Sequence, residues 1–554
     1  MRLSVVTTAP SVKETSNATK ENDTFLSGVA VLTASTVLVK LIGLFYKIPM
    51  LHYLGSEGMG YFNAAYEWYA TLCVIASAGL PLASSMLIAQ ARARCDGGML
   101  RRVERITLRL FLLLGFAGAT LLFFCAGAIA AFIGSPQTKY ALMAVSPTVL
   151  FSCLSGAYRG YFQGYQNMRP TAVSQIIEAA GKLLLGLGCA VLAWRNGLDA
   201  HLIAAWAMLG LSIGVAISTL YLIVTRRIFA PKEQWAAPSA CEVRPSRSAL
   251  SQLLSIAIPI TLSSSVLSLT RILDTTLILR RLQFIGYDVS DANALYGNYT
   301  TMVVPIFNLI PSLVTSVSLA LIPTLKKAIE SGRVVEQTWA THASIRMTAL
   351  LSIPASLALC IYSKTVLRLL FGSQSAAVEI AAPMLSILSV SILFSGLITT
   401  SNAILQAYGY VNAPIFSMLT GAVVKLICAY VLIGCPSINI YGAPIGSFVC
   451  DATIVGINLT LIAKRTPVLS RLWDLLTRPL VVSVVSVGLP GMVYAVFIRN
   501  GYAGIPLFLV AVPVTLLLFA ALCIRFGLIG EQELSSIPIV RRWIGKYTNK
   551  KAGG

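Results

Sequence analysis

The chain has 554 residues, is 56% hydrophobic and only 11% charged, and carries a formal net charge of +21. A soluble protein carries about 25% charged residues, so the composition excludes an ordinary soluble enzyme and indicates an all-α polytopic membrane protein with room for about a dozen or more helices. Long apolar runs exclude a β-barrel, and the positive charge is read as membrane topology, not nucleic-acid binding, because Lys and Arg collect in cytoplasmic loops.

Residues 1–24 are polar, rich in Ser, Thr, Asn and Lys, and lack the apolar centre of a signal peptide. They are expected to form a disordered cytoplasmic tail. The first apolar run, 26–51, contains VLVKLIGLFYKIPM from Val37 to Met50. Its Lys40 and Lys47 lie seven residues apart, two helical turns, and share one face. A charge at the centre of a membrane helix costs roughly 2.5–3.5 kcal/mol. Lys47 is near the outer interface and can snorkel; Lys40 is too deep for that.

The apolar runs that follow predict helices near 62–90, 108–133, 139–163, 172–194, 200–225, 252–280, 295–325, 345–371, 377–407, 413–435, 440–463, 478–498 and 504–525. That makes fourteen in all. Basic residues follow the even-numbered helices: Arg92, Arg94, Arg101, Arg102 and Arg105 after the second, Arg226 and Arg227 after the sixth, Lys326 and Lys327 after the eighth, Lys464 and Arg465 after the twelfth. Both termini are therefore expected in the cytoplasm, with Arg280 and Arg281 as the exception on the outer side.

The chain repeats itself. QGYQNMRP, from Gln163 to Pro170, is answered by QAYGYVNAP, from Gln406 to Pro414. Each precedes a helix with a lone lysine, Lys182 and Lys425, and FIGS at Phe132–Ser135 is answered by LFGS at Leu370–Ser373. Six helices per half is an even number, so the halves have the same orientation, a transporter design. The expected organisation is a tail at 1–24, an N-lobe at 25–226, a cytoplasmic linker at 227–250 and a C-lobe at 251–466. Two further helices at 467–527 and a basic cytoplasmic tail at 528–554 complete it.

Four deep cations, Lys40, Lys182, Arg271 and Lys425, occupy the first, fifth, seventh and eleventh helices. Such charges normally face a bundle interior or a water-filled cavity. Glu178 precedes Lys182 by four residues and Asp274 follows Arg271 by three, so simple intrahelical pairing is the bland reading of both; coupling is the functional one. The balance is positive, which favours an anionic ligand, and phosphates suit Lys and Arg.

Gly156, Gly160 and Gly164 form a GxxxGxxxG pattern, most simply close helix packing. Eleven cysteines, with no CxxC pair, read as small buried hydrophobes. No metal spacing, nucleotide motif or nucleophile motif occurs, and no cofactor is expected.

LGSEGMGYFNAAY from Leu54 to Tyr66, AGLP from Ala78 to Pro81, the basic-apolar first helix and the QAYGYVNAP junction resemble bacterial oligosaccharide and lipid II flippases of the MOP superfamily. The resemblance is to the polysaccharide-transporter branch that holds stage V sporulation protein B-like and MurJ-like proteins; the superfamily also holds the MATE drug exporters. It implies two six-helix lobes around a central cavity and two extra C-terminal helices that make a groove for a lipid tail. It implies alternating access by a monomer in the bacterial cytoplasmic membrane. The substrate would be an undecaprenyl-pyrophosphate-linked cell-wall precursor, moved with or without a coupling ion. Cavity arginines of the MurJ-type members carry over by position to Lys40, Lys47 and Arg271. The alternatives are a MATE-like cation or drug antiporter, which needs embedded carboxylates, and a scaffold, which needs no buried charge.

Overall fold

The computed structural model describes residues 12–94, 96–228, 249–410, 412–466, 472–500 and 504–528. Within these ranges the side chains of 12–34, 36, 37, 263, 266, 267, 313, 315–324, 465 and 472–474 are not described. The expected tail at 528–554, apart from Leu528, and nearly all of the expected linker at 227–250 lie outside the described residues.

The described residues are helical throughout, with no strand among them. The helices are α1 (Val12–Ser77), α2 (Leu80–Ala93), α3 (Gly97–Phe124), α4 (Ala126–Ile133), α5 (Thr138–Gly164), α6 (Arg169–Gly181), α7 (Leu187–Arg195), α8 (Ala200–Ile228), α9 (Ala249–Phe284) and α10 (Val289–Asn298). They continue as α11 (Val304–Glu330), α12 (Val334–Phe371), α13 (Ser375–Ala407), α14 (Ala413–Ile433), α15 (Gly442–Arg465), α16 (Leu472–Arg499) and α17 (Gly504–Arg525). Wide π-turns join α6 to α7 (Lys182–Gly186) and α10 to α11 (Tyr299–Val303).

Eleven stretches of the described residues are long and apolar enough to cross a membrane, so the expected count of fourteen is not confirmed. One of the eleven, Leu38–Ala93, is 56 residues long. It bends at Gly55, whose φ of +67° is left-handed and suits glycine. In α9 the described stretch Ala249–Leu262 is apolar, and the second half of the helix carries Arg271, Asp274, Arg280 and Arg281. Helix α1 is already helical at Val12, inside the segment expected as a disordered tail. Of the arginines expected in a loop after the second helix, Arg92 and Arg94 end α2, and Arg101, Arg102 and Arg105 lie on the first turns of α3, which Asp96 caps by accepting from the Met99 N–H at 2.8 Å.

The single helix expected over 62–90 is broken at Ala78–Gly79. Pro81 opens α2 where its missing N–H costs nothing. The Gly79 N–H donates to Thr261 Oγ1 of α9 at 3.1 Å, and a Cβ at Gly79 would run into the Ala257 carbonyl. Helix α2 then lies in the glycine groove of α5. A Cβ at Gly160 would sit 3.0 Å from Pro81 Cα, and one at Gly164 would sit 2.7 Å from Ile88 Cβ. The GxxxGxxxG pattern is thus a packing surface.

The residues form two compact units by contact, Met1–Thr301 and Met302–Gly554. In the first, α9 and α10 pack on α1 and α2. One close approach there is Gly297 of α10 to α1, where a Cβ on Gly297 would lie 2.7 Å from the Gly60 nitrogen. In the second, Leu325, Ala340, Ile345, Leu397, Ile404, Leu405, Val455 and Ile462 make one apolar core. A smaller cluster, Leu350, Val482, Cys523 and Leu528, docks α16 and α17 against α12. Tyr362 of α12 meets Tyr494 of α16 at 4.9 Å and Phe508 of α17 at 5.4 Å between ring centres. The Thr365 and Tyr494 hydroxyls hydrogen-bond beside them.

One of the two matched motifs also matches in backbone. Gln166 (φ +57°) and Gly409 (φ +86°) hold the same place in the two matching junctions and both are left-handed. Asn167 N–H donates to Phe162 O at 3.0 Å, and Tyr410 N–H to Leu405 O at 2.9 Å, the same helix-ending bond. The other matched pair diverges: Gly134 is left-handed, whereas Gly372 stays right-handed at φ −59°.

Candidate functional site: embedded cations and their counter-charges

Lys182 stands at the start of the π-turn after α6, one turn beyond Glu178. The expected intrahelical pair forms, with Lys182 Nζ 3.1 Å from Glu178 Oε1. A third group joins from α5: Arg159 Nη2 donates to Glu178 Oε2 at 2.9 Å, and Arg159 Nε to Ser174 Oγ at 2.9 Å. The pair is therefore a triad of two cations and one carboxylate. The three side chains are 19%, 21% and 23% exposed for Arg159, Glu178 and Lys182. Beneath Lys182 lies the ring of Tyr66, 5.7 Å from Nζ, with Tyr69 edge-on to it at 5.6 Å.

A second group gathers around the other π-turn. Lys47 is half-buried and donates to the Thr300 carbonyl at 2.8 Å, so the ammonium binds backbone inside the protein. Glu67 of α1 is its electrostatic partner. Asn63 Nδ2 donates to Thr301 Oγ1 at 2.8 Å, which ties the same turn to α1. Glu67 and Asp274 both act on the buried Tyr296 hydroxyl, which shares a hydrogen bond with Thr275 Oγ1 at 2.9 Å. Arg271 is exposed and reaches back to Ser268 Oγ at 3.1 Å. Lys40 is also exposed.

Lys425 lies in the second unit, on α14, and is half-buried. Its opposing charge comes from the next helix: Asp451 of α15 lies in its field. Of the expected set, the first unit holds Lys40, Lys47, Lys182, Arg271, Glu178 and Asp274, and the second holds Lys425. No group of three or more His, Cys, Asp or Glu side chains able to hold a metal ion occurs among the described residues.

The polysaccharide biosynthesis protein family matches residues 25–329, more than half of the chain. The chain belongs to that family. The MatE family matches residues 300–431. Stage V sporulation protein B of Bacillus subtilis (strain 168) is 26% identical over 94% of this chain and 99% of its own length. Lipid II flippase MurJ of the same organism is 26% identical over 73% of this chain and 76% of its own. A solved structure of lipid II flippase MurJ in an inward closed conformation superposes with a TM-score of 0.68, at 15% identity, over 90% of this chain and 98% of that one. The fold of this polysaccharide biosynthesis family member is that of the MOP superfamily, and the protein is a multi-pass membrane protein.

Three charged residues of this family member escaped the sequence reading: Arg159, Glu67 and Asp451. Each is a lone charge within an apolar run, the criterion that found Lys182 and Lys425. Arg159 sits inside SGAYRGYFQG, where the glycine pattern drew the reading toward packing. Asp451 and Lys425 belong to different helices, and spacing along one helix finds only intrahelical partners.

Proposed function

We propose that the protein is a transporter, a flippase that moves an undecaprenyl-pyrophosphate-linked cell-wall precursor, lipid II or a related oligosaccharide, across the bacterial cytoplasmic membrane by alternating access. The observation that carries this reading is the sign of the embedded charge. In the first unit the partly buried Lys47, Arg159 and Lys182 stand against the partly buried Glu67, Glu178 and Asp274, and the exposed Lys40 and Arg271 make the sum positive, five cations to three carboxylates. Attraction between one such cation and a phosphate oxygen at about 4 Å is roughly 4 kcal/mol at an effective dielectric near 20, before desolvation. That is enough to select an anionic headgroup over a cationic drug. The relatives named lipid II flippase and stage V sporulation protein B support the same substrate class.

In this reading Lys40, Lys47, Arg271 and Lys182 of the first unit contact the pyrophosphate, Lys425 of the second is a further substrate-binding residue, Glu178 and Asp274 serve pairing or coupling, both termini are cytoplasmic, and the protein acts as a monomer. The driving force is a coupling ion, the membrane potential or substrate mass action. A second reading, a MATE-like cation or drug antiporter, draws on the MatE match and on the embedded carboxylates Glu67, Glu178, Asp274 and Asp451.

Binding to purified protein separates the two. A polyprenyl pyrophosphate is expected to bind, and added salt or charge reversal at Lys40 or Arg271 to weaken it, with no competition from cationic dyes. Displacement of the lipid by those dyes favours the antiporter. Depletion in cells should accumulate lipid-linked intermediates on the inner leaflet, and their analysis identifies the sugar.

A further inference from the structure

We propose that Arg159 and Lys182 form an anion site in the first unit, filled in this structure by the carboxylate of Glu178, and that a phosphate of the amphiphilic substrate takes the carboxylate's place. This rests on the lipid-phosphate reading above and adds to it a ligand, Arg159, and a role for Glu178 as resident counter-ion.

The geometry has the features of a filled oxyanion site. One carboxylate spans two cations, one oxygen on the Arg159 guanidinium at 2.9 Å and the other on Lys182 Nζ at 3.1 Å. A guanidinium fork beside an ammonium suits a phosphate as well as it suits a carboxylate. A phosphate brings more charge and more acceptor oxygens than the group it would displace. The triad also carries one surplus positive charge, since two cations meet one carboxylate. A purely structural pair in a membrane gains nothing from a third, uncompensated ion, because each embedded charge costs desolvation.

The surroundings permit exchange. About a fifth of each side chain is exposed, so the triad is reachable. The other groups facing it are polar or aromatic: Ser174 on Arg159, Tyr66 under Lys182, and Tyr69 and Cys73 of α1 in the field of Glu178. Lys182 opens a π-turn, a local widening of the helix that recurs at functional sites. That turn is lined by close glycine contacts to α8: a Cβ on Gly181 would lie 2.6 Å from Gly214 Cα, and one on Gly210 would lie 2.7 Å from Gly186 Cα. Returning the turn to α geometry re-aims Lys182 and every residue beyond it. The second unit has a triad of the same composition, Lys364, Arg368 and Glu379, but its side chains are about half exposed at 48%, 52% and 50%. There water screens the charges, and nothing is gained by exchanging the anion.

The test uses full-length protein in lipid nanodiscs of zwitterionic lipid, with a fluorescent polyprenyl pyrophosphate as probe. Glu178→Gln removes the competing charge while keeping the shape, and is expected to tighten binding roughly tenfold, the size of one charge-assisted hydrogen bond. Arg159→Gln is expected to weaken it by about the same factor. Equal affinity in wild type, Glu178→Gln and Arg159→Gln overturns the proposal and leaves the triad a clasp between α5 and α6. Absence of binding in wild type overturns the flippase reading and this proposal with it. Inorganic pyrophosphate and phosphatidylglycerol are the control arms; competition by either at the strength of the probe overturns the assignment to the substrate headgroup. A photo-crosslinking polyprenyl pyrophosphate needs no substitution and guards against variants that misfold. Labels on the Ser155–Lys182 segment support the site, and labels confined elsewhere overturn it.

Discussion

Arg159 and Glu178 meet at 2.9 Å although they are nineteen positions apart in the chain, across the turn between α5 and α6. The contact closes one end of that helical hairpin with charge. Breaking a fully buried ion pair costs about 3–5 kcal/mol. With a fifth of each side chain exposed, Arg159→Ala should cost less, about 1–2 kcal/mol, because Glu178 keeps Lys182. Glu178→Ala leaves two cations together and should cost more, about 2–3 kcal/mol. Thermal unfolding in detergent measures both. Equal midpoints for the two variants would contradict the triad.

Lys425 and Asp451 make a different prediction, because their charges balance. Lys425→Met alone leaves a half-buried carboxylate uncompensated, at a cost of about 2–4 kcal/mol. Adding Asp451→Leu should recover most of that loss in a double-mutant cycle. If the double variant regains stability and still transports, Lys425 is a structural cation; if it regains stability and fails to transport, Lys425 contacts substrate.

The glycine groove of α5 admits no side chain at Gly164, where a Cβ would sit 2.7 Å from Ile88 Cβ. Gly164→Val should destabilise by about 1–3 kcal/mol through overpacking. The companion change Ile88→Ala should relieve part of it. Size-exclusion profiles and melting midpoints read the effect, and an unchanged Gly164→Val profile would show that α2 and α5 do not pack as described.

Lys40 and Arg271 are exposed side chains on α1 and α9. Lys40→Ala and Arg271→Ala should abolish flipping while the protein still inserts and accumulates. Complementation with matched immunoblots checks both halves of the statement. Normal activity in both variants would remove these cations from the substrate path.

Topology is tested by cysteine labelling on a cysteine-free background. Positions 240 and 550 should resist membrane-impermeant reagents in intact cells and react in everted vesicles, as the basic loops require. Labelling of either from outside would reverse the orientation.

The sequence made the helical class, the matching junction turns and the lysines within apolar runs legible because each is a local signal. Apolar runs mark helices, and a charge inside one stands out. Helix breaks were harder to see. Gly79 interrupts the run expected as one helix over 62–90, since a proline at a first turn changes direction without changing composition. The Gln166 turn shows the converse: its partner Gly409 announces a helix end, while glutamine does not, yet both adopt the same backbone. Counter-charges from neighbouring helices were invisible for a third reason. Asp451 faces Lys425 and Arg159 faces Glu178 through tertiary packing, which no spacing rule along one helix encodes.

The docking of α16 and α17 on α12 sets a schedule for biogenesis. The Thr365 and Tyr494 hydroxyls that bond across this contact are 129 residues apart in the chain. At roughly 5–20 residues per second of synthesis, α12 waits on the order of 6–25 s in the bilayer before its partner is made. During that interval the Tyr362 ring and the Thr365 hydroxyl lack the partners that α16 and α17 later bring. Helices α16 and α17 thus complete this contact late, and a ribosome that stalls after α15 would leave that face of α12 without its partner.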